Sequence, residues 1–519
     1  MQFAASFKNV LIVSSSTLGS RLLGLLRDIV IFSFLGTSSL NAAFLLAFTL
    51  PNLFRRLLGE GALTSAMMPV LAEALEKEGV HRCYDVLNQL LTRLCIGLGC
   101  LTVVGIGLLY GLSHIEDLPE RWHLATIFSQ WLMPYMPLVC LAAIFSGALN
   151  LSHRFAAAAL APMALNLSMV LCICMGGLFW AHDGWRVVQA LCIGVLLGGI
   201  AQLLLPLLAL KQQGWRFRWQ IEKSHHIHEI VCLLLPGLAG AAILQINLLI
   251  SRLLAFALDD AAISLLYLAG RLVELPLGLF TIAVATVIFP QLARLVVQQE
   301  HTKMAYLYGQ GLRLVLAITV PAAVGLLSLA RPIIQTLFEW GAFNMQDVQA
   351  AIPVLMCCSL GIPLYSWATL ATKACHAFKD TRTPVKMAFI ALVIHILLSL
   401  WWMHVYGVLG LAAASVVCVC IQSYGLHYLL SKKTSAFELI KWSKPLLHIG
   451  LASAGMYILL TGGQFLWEAW IGTSKMAHLI MLAVFIPVGV CFYLIQLFLL
   501  RFEDIALIRS MFKHLFKRL

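Results

Sequence analysis

Predominantly apolar runs of about 20 residues or more recur from one end of the chain to the other, and nothing else in the sequence limits its folding so severely. One such run, wound as a helix, crosses the roughly 30 Å hydrocarbon layer of a bilayer. The runs are continuous rather than alternating over about 10 residues, which excludes a membrane β-barrel. With 61% of 519 residues hydrophobic and 11% charged, a soluble fold is excluded too. The pattern predicts an all-α polytopic membrane protein with fourteen transmembrane helices. They lie near residues 9–36, 41–71, 86–112, 124–150, 156–180, 186–211, 228–258, 261–295, 306–330, 346–375, 385–405, 407–430, 444–464 and 476–500. Several exceed what a bilayer needs, so tilt or extension past the lipid is expected. Pro51, Pro137, Pro276 and Pro363 fall inside spans and should kink them.

Lys and Arg are distributed as a membrane topology requires. From a cytoplasmic N-terminus, the inner side receives Lys8, Lys77, Arg82, Arg154, Lys211, Arg216, Arg218 and Lys223, then Arg294, Lys303, Lys379, Arg382, Lys432, Lys433 and the tail. The outer side receives Arg121, Arg186, Arg331 and Lys475. This bias predicts that both termini are cytoplasmic. The net charge of +12 therefore reflects loop topology and contact with anionic membrane lipids, and no nucleic-acid partner is expected. Met1–Lys8 lead straight into the first span, so no cleavable leader is expected. Most of the fourteen cysteines lie within spans and read as small apolar fillers. Neither Cys172/Cys174 nor Cys357/Cys358 has zinc-site spacing. His225, His226 and His228 are of ligand type but are read as part of a solvated basic loop, so neither a metal nor a cofactor is expected.

Two spans break the apolar pattern. At 100° per residue, Ser16, Thr17, Ser20, Arg21, Gly24, Arg27 and Asp28 share about 140° of arc on the first, with Leu22, Leu25, Leu26, Ile29 and Val30 opposite. On the second, Asn52, Arg55, Arg56, Gly59 and Glu60 share a similar arc. A charge facing lipid costs roughly 2.5–3.5 kcal/mol on insertion scales, so these stripes should face protein or a wet cavity. The competing reading is that they pair internally or lie near the headgroups. With Asp28 and Glu60 against four arginines, the balance favours a site for an anion.

The chain also repeats. Met68-Pro69-Val70-Leu71-Ala72 closes span 2 and Phe289-Pro290-Gln291-Leu292-Ala293 closes span 8, 221 residues apart. The reading is two six-helix lobes in a parallel repeat about a pseudo-twofold along the membrane normal, residues 1–223 and 224–433, followed by a C-terminal helix pair and tail, 434–519. Span 8 carries Tyr267, Arg271, Glu274, Gly278 and Thr281 on one stripe; Arg271 and Glu274, three apart, are also placed to pair with each other. Arg252 in span 7 is a further cation, whose nearest acids in sequence are Asp259 and Asp260. Arg93 and Arg313 are expected to snorkel to the cytoplasmic surface. Gly194-x-x-x-Gly198 and the Gly-rich run 97–111 predict close helix packing.

Ser20-Arg21-x-x-Gly24-x-x-Arg27-Asp28, then Leu50-Pro51-Asn52-Leu53-x-Arg55-Arg56 with Glu60-Gly61-Ala62, resembles the MurJ (MviN) family of lipid II flippases. Arg271-Leu272-x-Glu274-x-Pro276, Leu337-Phe338-x-x-Gly341-x-Phe343 and Ala377-Phe378-x-Asp380-x-x-Thr383-Pro384-Val385-Lys386 extend the resemblance to about residue 390. It implies the fold of the multidrug/oligosaccharidyl-lipid/polysaccharide exporter superfamily: two six-helix lobes around a cavity and two C-terminal helices beside a groove for a lipid tail. It also implies the cargo, undecaprenyl-diphosphate-linked disaccharide-pentapeptide, moved across the bacterial inner membrane for peptidoglycan synthesis. By this resemblance Arg21, Arg27 and Arg271 contact the diphosphate, supported by Ser20, Asp28, Asn52, Arg55, Glu60 and Glu274. Guanidinium groups suit that role, being permanently charged and able to bind phosphate bidentately. The chain departs from some relatives at Ala42, Thr49 and Gly270, where they carry charge. Spans 7, 11 and 12 have no mid-membrane acid, so no sodium site is expected.

The expected function is thus a flippase working by alternating access, not an enzyme, with lipid II and membrane lipids as partners and cell-wall synthesis or division proteins as further candidates. The alternatives are an exporter of another polyprenyl-linked oligosaccharide and a membrane enzyme using polyprenyl diphosphates. The enzyme would need an acid or metal-ligand cluster near the surface, which the short loops do not supply. A cation exporter would want acids where this chain has arginines.

Overall fold

The computed structural model describes residues 2–59, 62–152, 154–180, 183–222, 224–434, 436–437, 442–502 and 504. Among them the regular structure is helical, without a strand. The first series is α1 (Gln2–Leu35), α2 (Ser39–Phe54), a π turn (Arg55–Gly59), α3 (Ala62–Lys77), α4 (Val80–Ser113), α5 (Glu120–Leu132), α6 (Tyr135–Leu151), α7 (Phe155–Phe179) and α8 (Gly184–Lys211). The second is α9 (His225–Leu258), α10 (Ala262–Pro276), a second π turn (Leu277–Thr281), α11 (Ile282–Val297), α12 (His301–Ser328), α13 (Ala330–Phe338), α14 (Met345–Ala377), α15 (Arg382–Tyr406) and α16 (Val408–Ser431). Then come α17 (Ser443–Trp470) and α18 (Lys475–Leu499).

The two series match element by element, apart from the inserted α13 and the break between α5 and α6. α1 and α9 have 34 residues each, and α7 and α15 have 25 each. The π turns start within one residue of the 221-residue spacing seen in the sequence. Each follows a proline, Pro51 or Pro276, whose missing N–H loosens the i→i+4 ladder where the i→i+5 winding begins. Between α5 and α6 the chain bends by 43°, around Pro134 and just ahead of Pro137. Among the described residues, eleven helices are long and apolar enough to cross a bilayer, and twelve if α5 and α6 form one span.

By packing, the chain divides into one compact unit of residues Met1–Ser264 with Trp340–Phe343, and another of Leu265–Glu339 with Asn344–Leu519. In the first, α7 and α8 meet where glycine permits. A Cβ on Gly198 would lie 2.9 Å from the Leu165 Cα, so Gly194-x-x-x-Gly198 packs as expected. The 97–111 run does so at Gly105, where a Cβ would overlap the end of Met133, but around Gly97, Gly99, Gly107 and Gly111 there is open space, and Val103 and Leu108 beside them are exposed. That face of α4 is apolar surface, as a lipid-facing helix requires.

The N-terminal half of α4 holds an extended segment. Tyr84, Asn88 and Arg93 donate to the carbonyls of Gln213, Arg216, Ile221 and Glu222, while Thr92 and Asp85 accept from Gln220. Arg93 is therefore tied to the linker before α9 rather than snorkelling free. Residues 340–343 dock on the C-terminal end of α1. The Ala342 N–H donates to the Ser33 carbonyl at 2.7 Å, and Phe343 meets Phe32 edge to face at 5.6 Å. Gly341 takes φ +57°, and a Cβ there would overlap the Ser33 oxygen. This is the physical content of the Gly341-x-Phe343 motif.

In the second unit α12 packs against α14 and α17, and the Tyr493 hydroxyl of α18 donates to the Ala317 carbonyl at 2.7 Å. Arg313 is buried, its Nε 2.7 Å from Asp504 Oδ2. The snorkelling expectation fails because the tail brings a carboxylate to it. Asp380 likewise fixes the start of α15, accepting from the Thr383 N–H at 3.0 Å and from Lys433 Nζ at 2.5 Å.

Candidate functional site

α1 separates polar from apolar as its sequence implies. Leu22 and Leu26 are exposed, whereas Arg27 is 4% and Asp28 1% exposed. The burial of Arg27 is possible because its donors are met. Nε and Nη2 reach Asp28 Oδ1 at 3.0 and 2.6 Å, and Nη1 reaches Asn166 Oδ1 on α7 at 2.9 Å. Asn166 Nδ2 donates in turn to the Ser20 carbonyl at 3.3 Å, tying Ser20 into the same network. The guanidinium carbon stands 6.0 Å from the centre of the Phe48 ring on α2, which stacks on Tyr135. Arg21, nearly two turns earlier, is half-buried, and among the described residues it makes no hydrogen bond or ion pair.

Past Phe48, α2 carries a ladder of polar side chains. Thr49 Oγ1 donates to the Leu45 carbonyl and accepts from Arg252 Nη1 on α9 at 2.9 Å. Asn52 Nδ2 donates to the Phe48 carbonyl, and its Oδ1 accepts from Arg55 Nε at 3.1 Å. The sequence suggested only Asp259 and Asp260 near Arg252; its neighbour is Thr49, while Asp259 caps α10 through the Ala261 and Ala262 amides. Arg56 is exposed rather than sharing the stripe of Arg55. The π turn begins at Arg55, so a 100° projection fails from there on. Glu60 lies outside the described residues.

In the second unit, Arg271 Nη1 donates to Glu274 Oε2 at 3.1 Å and its guanidinium lies 5.4 Å from the Tyr267 ring centre. Both charged side chains keep substantial exposure, 32% and 55%. Seven residues past Glu274, Thr281 and Ser366 share a buried hydroxyl–hydroxyl hydrogen bond of 2.7 Å at the end of the second π turn. The arginines thus stand in different electrostatic states. Arg27 is neutralised by Asp28, Arg271 is loosely paired, and Arg21 offers an open guanidinium. Within the first unit, Arg21 beside the Arg27–Asp28 pair can hold an anionic group while leaving little uncompensated charge when it departs. Asn166 escaped the sequence reading, and Thr49 entered it only as a departure from charged relatives, because a neutral polar residue in an apolar span carries no charge penalty to flag it.

A family model described as lipid II flippase MurJ matches residues 31–481. A Bdellovibrio bacteriovorus protein named probable lipid II flippase MurJ is 32% identical over 511 residues, covering 97% of this chain and 96% of that one. A Vibrio cholerae protein of the same name is 32% identical over 522 residues, covering 96% and 97%. A solved structure titled lipid II flippase MurJ, inward closed conformation, superposes with a TM-score of 0.76 at 25% identity, covering 94% of this chain and 98% of that one. An inward-facing multidrug MATE family transporter of the MOP superfamily superposes at 0.68 with 15% identity, over 81% and 95%, and supports the fold alone. With most of its length matched by the family model and nearly all of it by relatives at this identity, the chain belongs to the lipid II flippase MurJ family.

Proposed function

We propose that this chain moves lipid II from the inner to the outer leaflet of the bacterial cytoplasmic membrane by alternating access, with both termini in the cytoplasm. α1 and the α2–α3 segment count as spans despite their charge, making fourteen. The functional divisions are residues 1–223 and 224–433 as two lobes, with 434–519 holding the helix pair that accompanies the lipid tail. The diphosphate is the part of the cargo that the bilayer resists most, because an unpaired anion in apolar surroundings is costly. Arg21 is the first contact, being half-buried and open; Arg27 and Arg271 exchange their carboxylate partners for phosphate oxygens as the head group arrives. Ser20, Asp28, Asn52, Arg55, Glu60 and Glu274 hold these groups in register.

The observation that carries this reading is a guanidinium kept at 4% exposure on a helix whose opposite face is leucine, in a member of this family. The test is reconstitution of the purified protein in liposomes containing lipid II, following protection of the head group from an external reagent. Wild type should exchange lipid II between leaflets, and Arg21→Ala, Arg27→Ala and Arg271→Ala should each abolish exchange. Wild-type exchange by all three variants would defeat the residue assignment. A membrane potential, negative inside, would drive the anion outward with roughly 2.3 kcal/mol per charge per 100 mV. Exchange unaltered by collapse of the potential would exclude that drive.

A further inference from the structure

The start of α9 carries His225, His226 and, one turn on, Glu229, and one ligand atom from each lies within 4.8 Å of the others. The spacing accounts for this: His225 and Glu229 are four residues apart and His226 and Glu229 three, so all three overhang one turn. A fourth group comes from another part of the chain. Glu78, between α3 and α4, places Oε1 2.9 Å from His226 Nε2. Its backbone N–H is held by the Ala74 carbonyl, and its Oε2 by Arg82 at 3.1 Å, which leaves Oε1 directed at the imidazole. Glu73 is also within electrostatic reach of both histidines, although Lys77 chiefly holds its carboxyl below the usual range.

We propose that His225, His226, Glu229 and Glu78 form a binding site for a divalent transition-metal ion of the zinc class. Two imidazoles and two carboxylates are a borderline donor set that suits zinc, cobalt or nickel; calcium and magnesium prefer oxygen alone. Ligand bonds of about 2.0–2.2 Å put tetrahedral donors roughly 3.3–3.5 Å apart. Binding draws the three α9 donors from within 4.8 Å of one another to that spacing, with the His226–Glu78 contact opening slightly to admit the ion. Arg82 becomes the outer partner that orients Glu78. The positive end of the α9 dipole opposes a cation here, and the carboxylates of Glu73, Glu78 and Glu229 offset it. The ion clamps the α3–α4 connection to the start of α9. This site is separate from the arginines assigned to lipid II.

The test uses full-length protein without a polyhistidine tag, stripped with chelator and titrated with zinc chloride against a chromophoric competitor. Metal content after dialysis and the melting temperature are read alongside. Wild type should retain one equivalent and melt higher with zinc. Glu229→Gln and Glu78→Gln should each bind at least tenfold more weakly, and the double variant His225→Ala/His226→Ala should lose the equivalent and the thermal shift. That variant should match wild type in zinc-free melting, showing that it folds. His228→Ala, whose ring contacts Cys232 instead, should behave as wild type. Equal zinc binding by wild type and the double-histidine variant, binding lost only in His228→Ala, or less than one equivalent on wild type would overturn the proposal.

Discussion

Arg27 serves both as half of a buried ion pair and as a proposed ligand of phosphate, and a charge-free replacement separates the two roles. Arg27→Ala alone leaves Asp28, 1% exposed, without the guanidinium that supplies two of its hydrogen bonds, and leaves Asn166 Oδ1 without its donor. Removing one partner of a buried pair costs about 3–5 kcal/mol. Arg27→Lys keeps the charge, but a single ammonium cannot reproduce the fork that meets Asp28 twice and Asn166 once. Each charged hydrogen bond lost costs about 1.5–3 kcal/mol. Loss of transport in either single variant therefore has a purely structural explanation available.

The double variant Arg27→Leu/Asp28→Leu removes both charges together. Replacing a buried pair by apolar residues is neutral or stabilising by about 1–4 kcal/mol, against about 1–3 kcal/mol for the Asn166 oxygen left unpaired. The two terms nearly cancel, so the double variant should melt close to wild type while Arg27→Ala melts well below it. Thermal unfolding in detergent checks this, and the liposome assay on the same preparations reports transport. If Arg27 meets the diphosphate, the stable double variant remains inactive. Wild-type transport by the double variant would show that Arg27 only satisfies Asp28, and its role in binding would be withdrawn.

Arg271 offers the contrasting case, since its pair with Glu274 is largely exposed. Arg271→Ala should shift stability by no more than about 0.5 kcal/mol and yet stop lipid II exchange; a large loss of stability would point to a structural role instead. Asp504→Ala should cost about 3–5 kcal/mol by stranding Arg313, and should speed proteolysis of the tail. Burial alone would raise the Asp380 carboxyl, but hydrogen bonds from Lys433 and Thr383 outweigh it and hold it below the usual range. That stabilisation is complete above the unfolded value of about 3.9 and is lost as pH falls through the folded one. Asp380→Asn should thus cost about 1–3 kcal/mol, unchanged from pH 7 down to about 4, and the two proteins should converge in stability below that.

What could be read in advance followed from straight helical geometry and from the cost of charge in lipid. On α1 a 100° projection sorted Leu22 and Leu26 outward and Arg27 and Asp28 inward because the helix is unbroken there. The same projection failed at Arg56, one residue into a π turn. Partners distant in sequence were equally hidden: Asp504 lies 191 residues from Arg313, and Asn166 lies 139 from Arg27. Glycine is ambiguous by nature, since it admits a neighbouring helix at Gly198 and faces open space at Gly97 and Gly107.

The two π turns give the repeat its functional meaning. A π turn winds one extra residue into a helix, so the residues beyond it keep the phase they would have in an unbroken α-helix one residue shorter. Leu63, Met67 and Leu71 of α3 are fully buried after the first π turn, which shows how closely the core depends on that phase. Deleting Leu57 should therefore restore α winding without turning α3 away from the core, and the protein should fold and melt near wild type. Arg55 would lose its present placement against Asn52, and lipid II exchange should fall severalfold. Unfolding on deletion would mean that the extra residue sets the core rather than being absorbed. Full exchange by a well-folded deletion variant would mean that the irregular winding does nothing for transport. The recurrence of the same turn at the matching point of the second series, just after Arg271 and Glu274, argues against that last outcome. A defect without use would have had to persist twice, each time beside charges proposed to meet the cargo.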